Sequence, residues 1–145
     1  MAAAPTIVEF LGGRKALGVR STSAVDWDAL IRAGMPVQSA QALKEGIAAP
    51  DSLLAELLGV SEKTLSRARA GNGRLDPVTS DRLYRVARIV TLAIEVLENE
   101  ASALHWLKRP QIGLGGKVPL ALLATDPGRD QVEKLLLRIE HGVYS

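Results

Sequence analysis

The sequence predicts an all-α protein, on three observations. Leu and Ala dominate a composition that is 47% hydrophobic and only 3% aromatic, a balance that favours helix over strand. Apolar residues recur at spacings of three and four, with no period-two run long enough for a strand. Gly, Pro, Ser, Thr and Asp fall where such helices would begin and end. At 145 residues the chain is long enough for one core or two small ones.

Residues 1–25 read as a loosely docked amino-terminal arm, with a short helix around Ile7 to Leu11 followed by Gly12, Gly13, Gly18 and a Ser/Thr cluster. Residues 26–98 read as a continuous helical region. Asp26 can cap a helix from Trp27 to Ala33 that Gly34 and Pro36 end, and Ser39 to Glu45 forms the next, stopped by Gly46. After Pro50, Leu53, Leu54, Leu57 and Leu58 mark a helix that Gly59 breaks. Ser61 can cap the following helix, about Glu62 to Arg69, whose buried side carries Leu65 and Ala68. Residues 50–70 are therefore helix, tight turn, helix. Asp76 and Pro77 start a long helix reaching about Glu98, with Leu83, Val86, Ala87, Val90, Ile94 and Leu97 as its apolar stripe.

Residues 99–145 form a further block. Ala101 to Lys108 supplies a short helix, Arg109 is held extended by Pro110, and Gly113, Gly115 and Gly116 make a loop. Pro119 opens another short helix. Thr125 or Asp126 then caps a final helix with Pro127 in its first turn and Val132, Leu135, Leu136 and Ile139 buried, which Gly142 ends.

Charge narrows the function. Net charge is +2, but residues 61–90 hold seven basic and three acidic side chains while both flanks are slightly acidic. That excess falls on the second helix of the helix-turn-helix and on Arg82, Arg85 and Arg88, whose plain alternative is a solvated face with an Asp81–Arg85 pair. A helix that presents Lys63, Thr64, Ser66, Arg67 and Arg69 beside its cap Ser61 has the hydroxyls and cations that reach phosphates and base edges. One such helix binds DNA weakly at physiological salt, so a homodimer or a hetero-oligomer is expected.

Other classes find little support. With no cysteine, thiolate metal sites and cysteine nucleophiles are excluded, and no metal or other cofactor is expected. The glycine loop fails as a phosphate cradle, because Gln111 and Val118 stand where a P-loop needs Gly and Ser or Thr. His105 and His141 lack a Ser or carboxylate partner at a defined spacing, and Asp126 with Asp130 reads as a cap and a first-turn acid. Neither an enzyme nor a small-molecule substrate is expected. No apolar run approaches the roughly 20 residues that span a bilayer, so a cytoplasmic protein without a membrane partner is expected.

The runs LGVSEKTLSRARAGNGRLDPVTSDRLYRVARI and WLKRPQIGLGGKVPLALLATDPGRDQVEKLLLRIEHGVYS resemble the Xre/MbcA/ParS antitoxins. The most specific part is the order of Trp106, Pro110, Leu114, Gly115, Gly116, Pro119, Leu120, Leu123, Thr125, Gly128, Val132, Leu136, Ile139 and Gly142. The resemblance implies an Xre-like helix-turn-helix joined to a toxin-binding domain, in a protein that neutralises a RES-domain, NAD-degrading toxin and represses its own operon within the complex. It places Lys63, Thr64, Ser66 and Arg67 on the DNA-reading helix. Trp106, Lys117, Leu120, Arg129, Gly142, Val143, Tyr144 and Ser145 fall in the toxin-facing domain. The sequence departs from the family pattern at Arg67, Ala68, Arg69, where adjacent arginines are expected. Beyond Gly142, Tyr144 can enter a partner's cleft or fold back onto Leu136 or the long helix. A stand-alone regulator, with a carboxyl-terminal block that only oligomerises, is the competing expectation.

Overall fold

The computed structural model describes residues 5–21, 25–71 and 73–142, and their regular structure is helical apart from two isolated bridges. Contacts divide the chain into two units, Thr6–Ala87 and a second that begins at Arg88. The division falls inside the long helix rather than after it, so successive turns of that one helix belong to different cores.

The first unit begins with α1 (Ile7–Phe10), where Thr6 and Glu9 form a capping box, and α2 (Gly13–Leu17). Val8, Phe10, Leu11 and Leu17 are buried, and the Phe10 ring lies against Gly46. The expectation of a loosely docked arm is therefore corrected for its described part: four large apolar side chains leave water here, which stabilises the segment by several kcal/mol at about 1.5–3 kcal/mol each.

Asp26 caps α3 (Trp27–Ala33) by accepting from the Ala29 amide at 3.0 Å, as its residue type predicts. The next helix, α4 (Val37–Gly46), starts two residues earlier than its sequence suggests, behind Pro36, which leaves Ser39 buried inside it. Helix α5 (Asp51–Leu58) buries Leu54, Ala55, Leu57 and Leu58, and α6 (Glu62–Ala70) buries Leu65. Then comes α7 (Pro77–Leu97), whose Asp76 carboxylate accepts from the Thr79 amide at 2.8 Å and the Thr79 hydroxyl at 2.9 Å.

Residues 34–37 and 73–75 run side by side and close a loop around α4, α5 and α6. The Val37 amide donates to Gly73 O at 3.1 Å, the Leu75 amide to Met35 O at 2.8 Å, and Arg74 to Gly34 O at 2.6 Å. The buried Ser80 hydroxyl on α7 accepts from the Met35 amide at 2.8 Å, so the closure is fixed from below as well.

In the second unit, Ile89, Val90, Ala93 and Ile94 of α7 are buried together with residues of α8 (Glu100–Leu107). Asn99 caps α8 through the Ser102 amide at 2.8 Å. A short 3-10 turn, Ile112–Leu114, leads to α9 (Pro119–Leu122) and α10 (Asp126–Glu140), which Thr125 caps through the Gly128 amide at 3.1 Å. Val132, Leu135 and Leu136 of α10 are buried, as their helical spacing predicts, whereas Ile139, expected with them, is half-buried near the end of the stripe. Gly142 has φ 72°, the left-handed stop its position calls for. No helix is long and apolar enough to cross a membrane among the described residues.

Candidate functional site

Interactions from α4, α6 and α7 hold the two ends of α5. Gly59 has φ 70°, which an L side chain resists, and a Cβ there would lie 2.3 Å from Arg82 Nη1. Arg82 itself donates to Leu58 O at 3.3 Å, so a cation from α7 satisfies an orphan carbonyl at the end of α5. At the other end of α5, Asp51 accepts both arms of the Arg69 fork at 3.0 and 2.8 Å, with Lys44 Nζ at 3.5 Å. Hydrogen bonding from Arg69 is the main cause of an Asp51 carboxyl held below the usual carboxylate range. One carboxylate thus joins α4, α5 and α6.

These contacts present one face of α6. Ser61 accepts from the Thr64 amide at 3.0 Å and its hydroxyl lies 2.9 Å from that of Thr64, fixing the first turn. Leu65, 1% exposed, points into the core. Lys63, Thr64, Ser66 and Arg67 are exposed, and Ser61 and Glu62 stand exposed at the helix start. Of the residues expected to face DNA, Arg69 differs in environment: its guanidinium is committed to Asp51, so its direct effect is to hold the helix in place. The Asp81–Arg85 pair expected on α7 is present at 2.9 Å. Arg82 was legible only as a surface cation, because its partner lies 24 residues away.

The second site lies between α8 and the end of α10. Gln111 organises it: its amide donates to Lys117 O at 3.1 Å, its carbonyl accepts from the Leu114 and Gly116 amides at 3.0 and 2.9 Å, and its side chain donates to Trp106 O at 2.9 Å. The loop that the glycines suggest is therefore a closed, hydrogen-bonded turn. Lys117 is exposed at its base, Trp106 is half-buried, and Ile112 stands at its tip.

Leu120 is 4% exposed and Arg129 8%, so both act from inside the unit. Arg129 donates to Leu123 O at 2.9 Å, with Asp126 at 3.6 Å, and so fastens the start of α10 to the end of α9. Gly128 permits that approach, since a Cβ at its position would lie 1.9 Å from Leu122 O. On the far side of α10, Glu133 pairs with Arg88 of α7. Of the expected partner-facing residues, Gly142 is exposed, while Val143, Tyr144 and Ser145 lie outside the described residues. Ile112 is missing from the sequence-based set, for an isolated isoleucine between Gln and Gly carries no signal of its exposure.

Comparison with known proteins finds a family match over each half of the chain. Residues 26–88 match the model of the antitoxin Xre-like helix-turn-helix domain, and residues 92–142 match that of the antitoxin Xre/MbcA/ParS C-terminal toxin-binding domain. A protein named Antitoxin Xre from Yersinia enterocolitica is 31% identical over 116 residues, covering 79% of this chain and 78% of that one. A second protein of that name, from Photorhabdus laumondii, is 28% identical over 90% of this chain and 89% of its own. A Prs ADP-ribosylating antitoxin from Sphingobium sp. strain YBL2 is 27% identical over 92% and 96% of the two chains.

Proposed function

Since the chain belongs to the Xre antitoxin family, we propose that it binds and neutralises a cytoplasmic RES-domain toxin that consumes NAD, and that it represses its own operon from within that complex. The observation that carries this is the pairing, in one chain, of a toxin-binding domain over residues 92–142 and a helix-turn-helix over residues 26–88. The Sphingobium relative has ADP-ribosylation in its name, a reaction that consumes NAD, which favours an NAD-using partner.

Neutralisation proceeds by occlusion rather than by chemistry of the antitoxin's own. The turn over residues 111–117 and the exposed end of α10 form the contact surface, and the tail from Gly142 to Ser145 enters the toxin's cleft. Gly142 ends α10 in the left-handed conformation, and Val143, Tyr144 and Ser145 follow it in sequence. The aromatic ring of Tyr144 fills and blocks a substrate cleft.

Autoregulation uses α6. Lys63 and Arg67 supply phosphate contacts, Ser61, Thr64 and Ser66 supply hydroxyls for base edges or backbone, and Arg69 positions the helix through Asp51. Dimerisation, directly or through the toxin, presents two such helices to two half-sites and raises affinity at physiological salt.

The test is co-expression with the product of the adjacent gene, followed by pull-down and assay of NAD loss. A stable complex with protected NAD is expected, and removal of residues 143–145 should restore NAD loss while leaving the antitoxin folded. A truncated chain that still inhibits fully overturns the occluding tail. Operator binding without any complex with the neighbouring product overturns the antitoxin reading and favours a stand-alone regulator.

A further inference from the structure

The side chain of Ile112 is 95% exposed, against 61% and 38% for Val78 and Leu137, the other exposed large apolar residues among those described. Isolated exposed hydrophobics are ordinary on protein surfaces; what distinguishes this one is how firmly it is held. Gln111 closes the turn on both sides of it, and the Gly115 amide donates to Ile112 O at 3.0 Å. The side chain therefore projects from a backbone already fixed, and ordering it on binding costs little further entropy.

Its surroundings specify a partner. Residues 101–125 contain no Asp or Glu, whereas Lys108, Arg109 and Lys117 are exposed within them. The tip is thus an apolar projection from a stretch of sequence whose charged side chains are all basic, inside the segment that matches the toxin-binding domain. We infer that Ile112 is the apolar anchor of the toxin contact, entering a hydrophobic pocket on the toxin whose rim carries carboxylates. The inference rests on the antitoxin reading above and adds the residue that determines which toxin is accepted. Burial of the isoleucine in a water-excluded pocket supplies affinity; the surrounding cations orient the encounter and speed it.

The experiment titrates the full-length chain and its Ile112→Ala, Ile112→Asp and Ile112→Leu variants against the purified product of the adjacent gene by calorimetry. Thermal unfolding of each free variant is recorded alongside. Ile112→Ala should weaken binding about tenfold, and Ile112→Asp by about a hundredfold or more, because a carboxylate enters an apolar pocket with an acidic rim. Ile112→Leu should stay within about threefold of the parent, as volume-conserving apolar exchanges do. All three should unfold at the parent's temperature, since the side chain touches little in the free protein. Binding of Ile112→Asp within about twofold of the parent overturns the anchor and leaves the antitoxin reading intact. A matching loss of thermal stability also overturns it, for an anchor acts only in the complex. A parent chain that fails to bind refutes the underlying reading instead.

Discussion

Replacing Gly128 by alanine should be the most damaging small change in the second unit. A Cβ there would meet Leu122 O at 1.9 Å, Leu122 C at 2.8 Å and Thr125 Oγ1 at 2.9 Å. A carbon and a carbonyl oxygen settle no closer than about 3.3 Å, so α9 or the start of α10 has to withdraw by more than about 1 Å. Helix propensity favours alanine by at most about 1 kcal/mol. Overpacking costs about 1–3 kcal/mol, and the retreat also loosens the Thr125 cap, whose loss costs about 1 kcal/mol. The balance is a net loss of about 2 kcal/mol.

Urea unfolding reports this loss through Trp106 fluorescence in a Trp27→Phe background, because Trp106 then is the single indole and lies in the second unit. With a slope near 1 kcal/mol/M for so small a unit, the midpoint should fall by about 2 M. Gly113→Ala is the informative companion. Its Cβ would meet Leu135 Cδ1 at 2.7 Å, the end of a side chain that can turn aside, so the loss should stay near 1 kcal/mol. A Gly128→Ala midpoint at or above the parent's would refute the argument that an unyielding backbone carbonyl decides the outcome.

Two further predictions concern the first unit. Arg67→Ala and Arg69→Ala should both weaken operator binding by the antitoxin–toxin complex, but for different reasons. The first should lower the slope of log K against log salt by about one without moving the melting temperature. The second should lower the melting temperature, because Asp51 loses both arms of its fork; equal melting temperatures would remove the positioning role. Asp76 is held below the usual carboxylate range, first by the Thr79 amide. A lowered folded value means stability that is present above the ordinary value near 4 and is lost as pH falls towards the folded one. The parent should therefore lose melting temperature below about pH 4 more steeply than Asp76→Asn, and parallel acid limbs would contradict that linkage.

Helix caps and stops were legible in the chain because they depend on neighbours a few residues away. Asp26, Ser61, Asp76 and Thr125 accept from amides three residues on, and Gly59 and Gly142 adopt the left-handed conformation their positions suggest. Helix α2 was hidden by its glycines, since Gly12 and Gly13 read as a loop until Leu17 is seen to be buried. The helix read as starting at Ser39 begins at Val37, because Pro36 had already set the preceding backbone. Asn99 was overlooked although its type and the acid after it fit a cap.

At the sites the same divide holds. Residue type alone marked Lys63, Thr64, Ser66 and Arg67 for an exposed face. Which arginines stay available and which are consumed by structure depended on partners 18, 24 and 45 residues distant, at Asp51, Leu58 and Glu133. The close approach at Gly128 and the exposure of Ile112 are likewise products of the assembled fold.

The pairing of residues 34–37 with residues 73–75 gives the enclosed helices a common doorway. Entry and exit of the polypeptide adjoin, and the hydrogen bonds across them come from main-chain atoms or from Arg74, outside the enclosed segment. A stretch exchanged between these two points would have to keep the places that receive Arg82 and Phe10, at Leu58 and Gly46. Where those partners are kept, the exposed face of α6 can change as a cassette while residues 92–142 stay as they are.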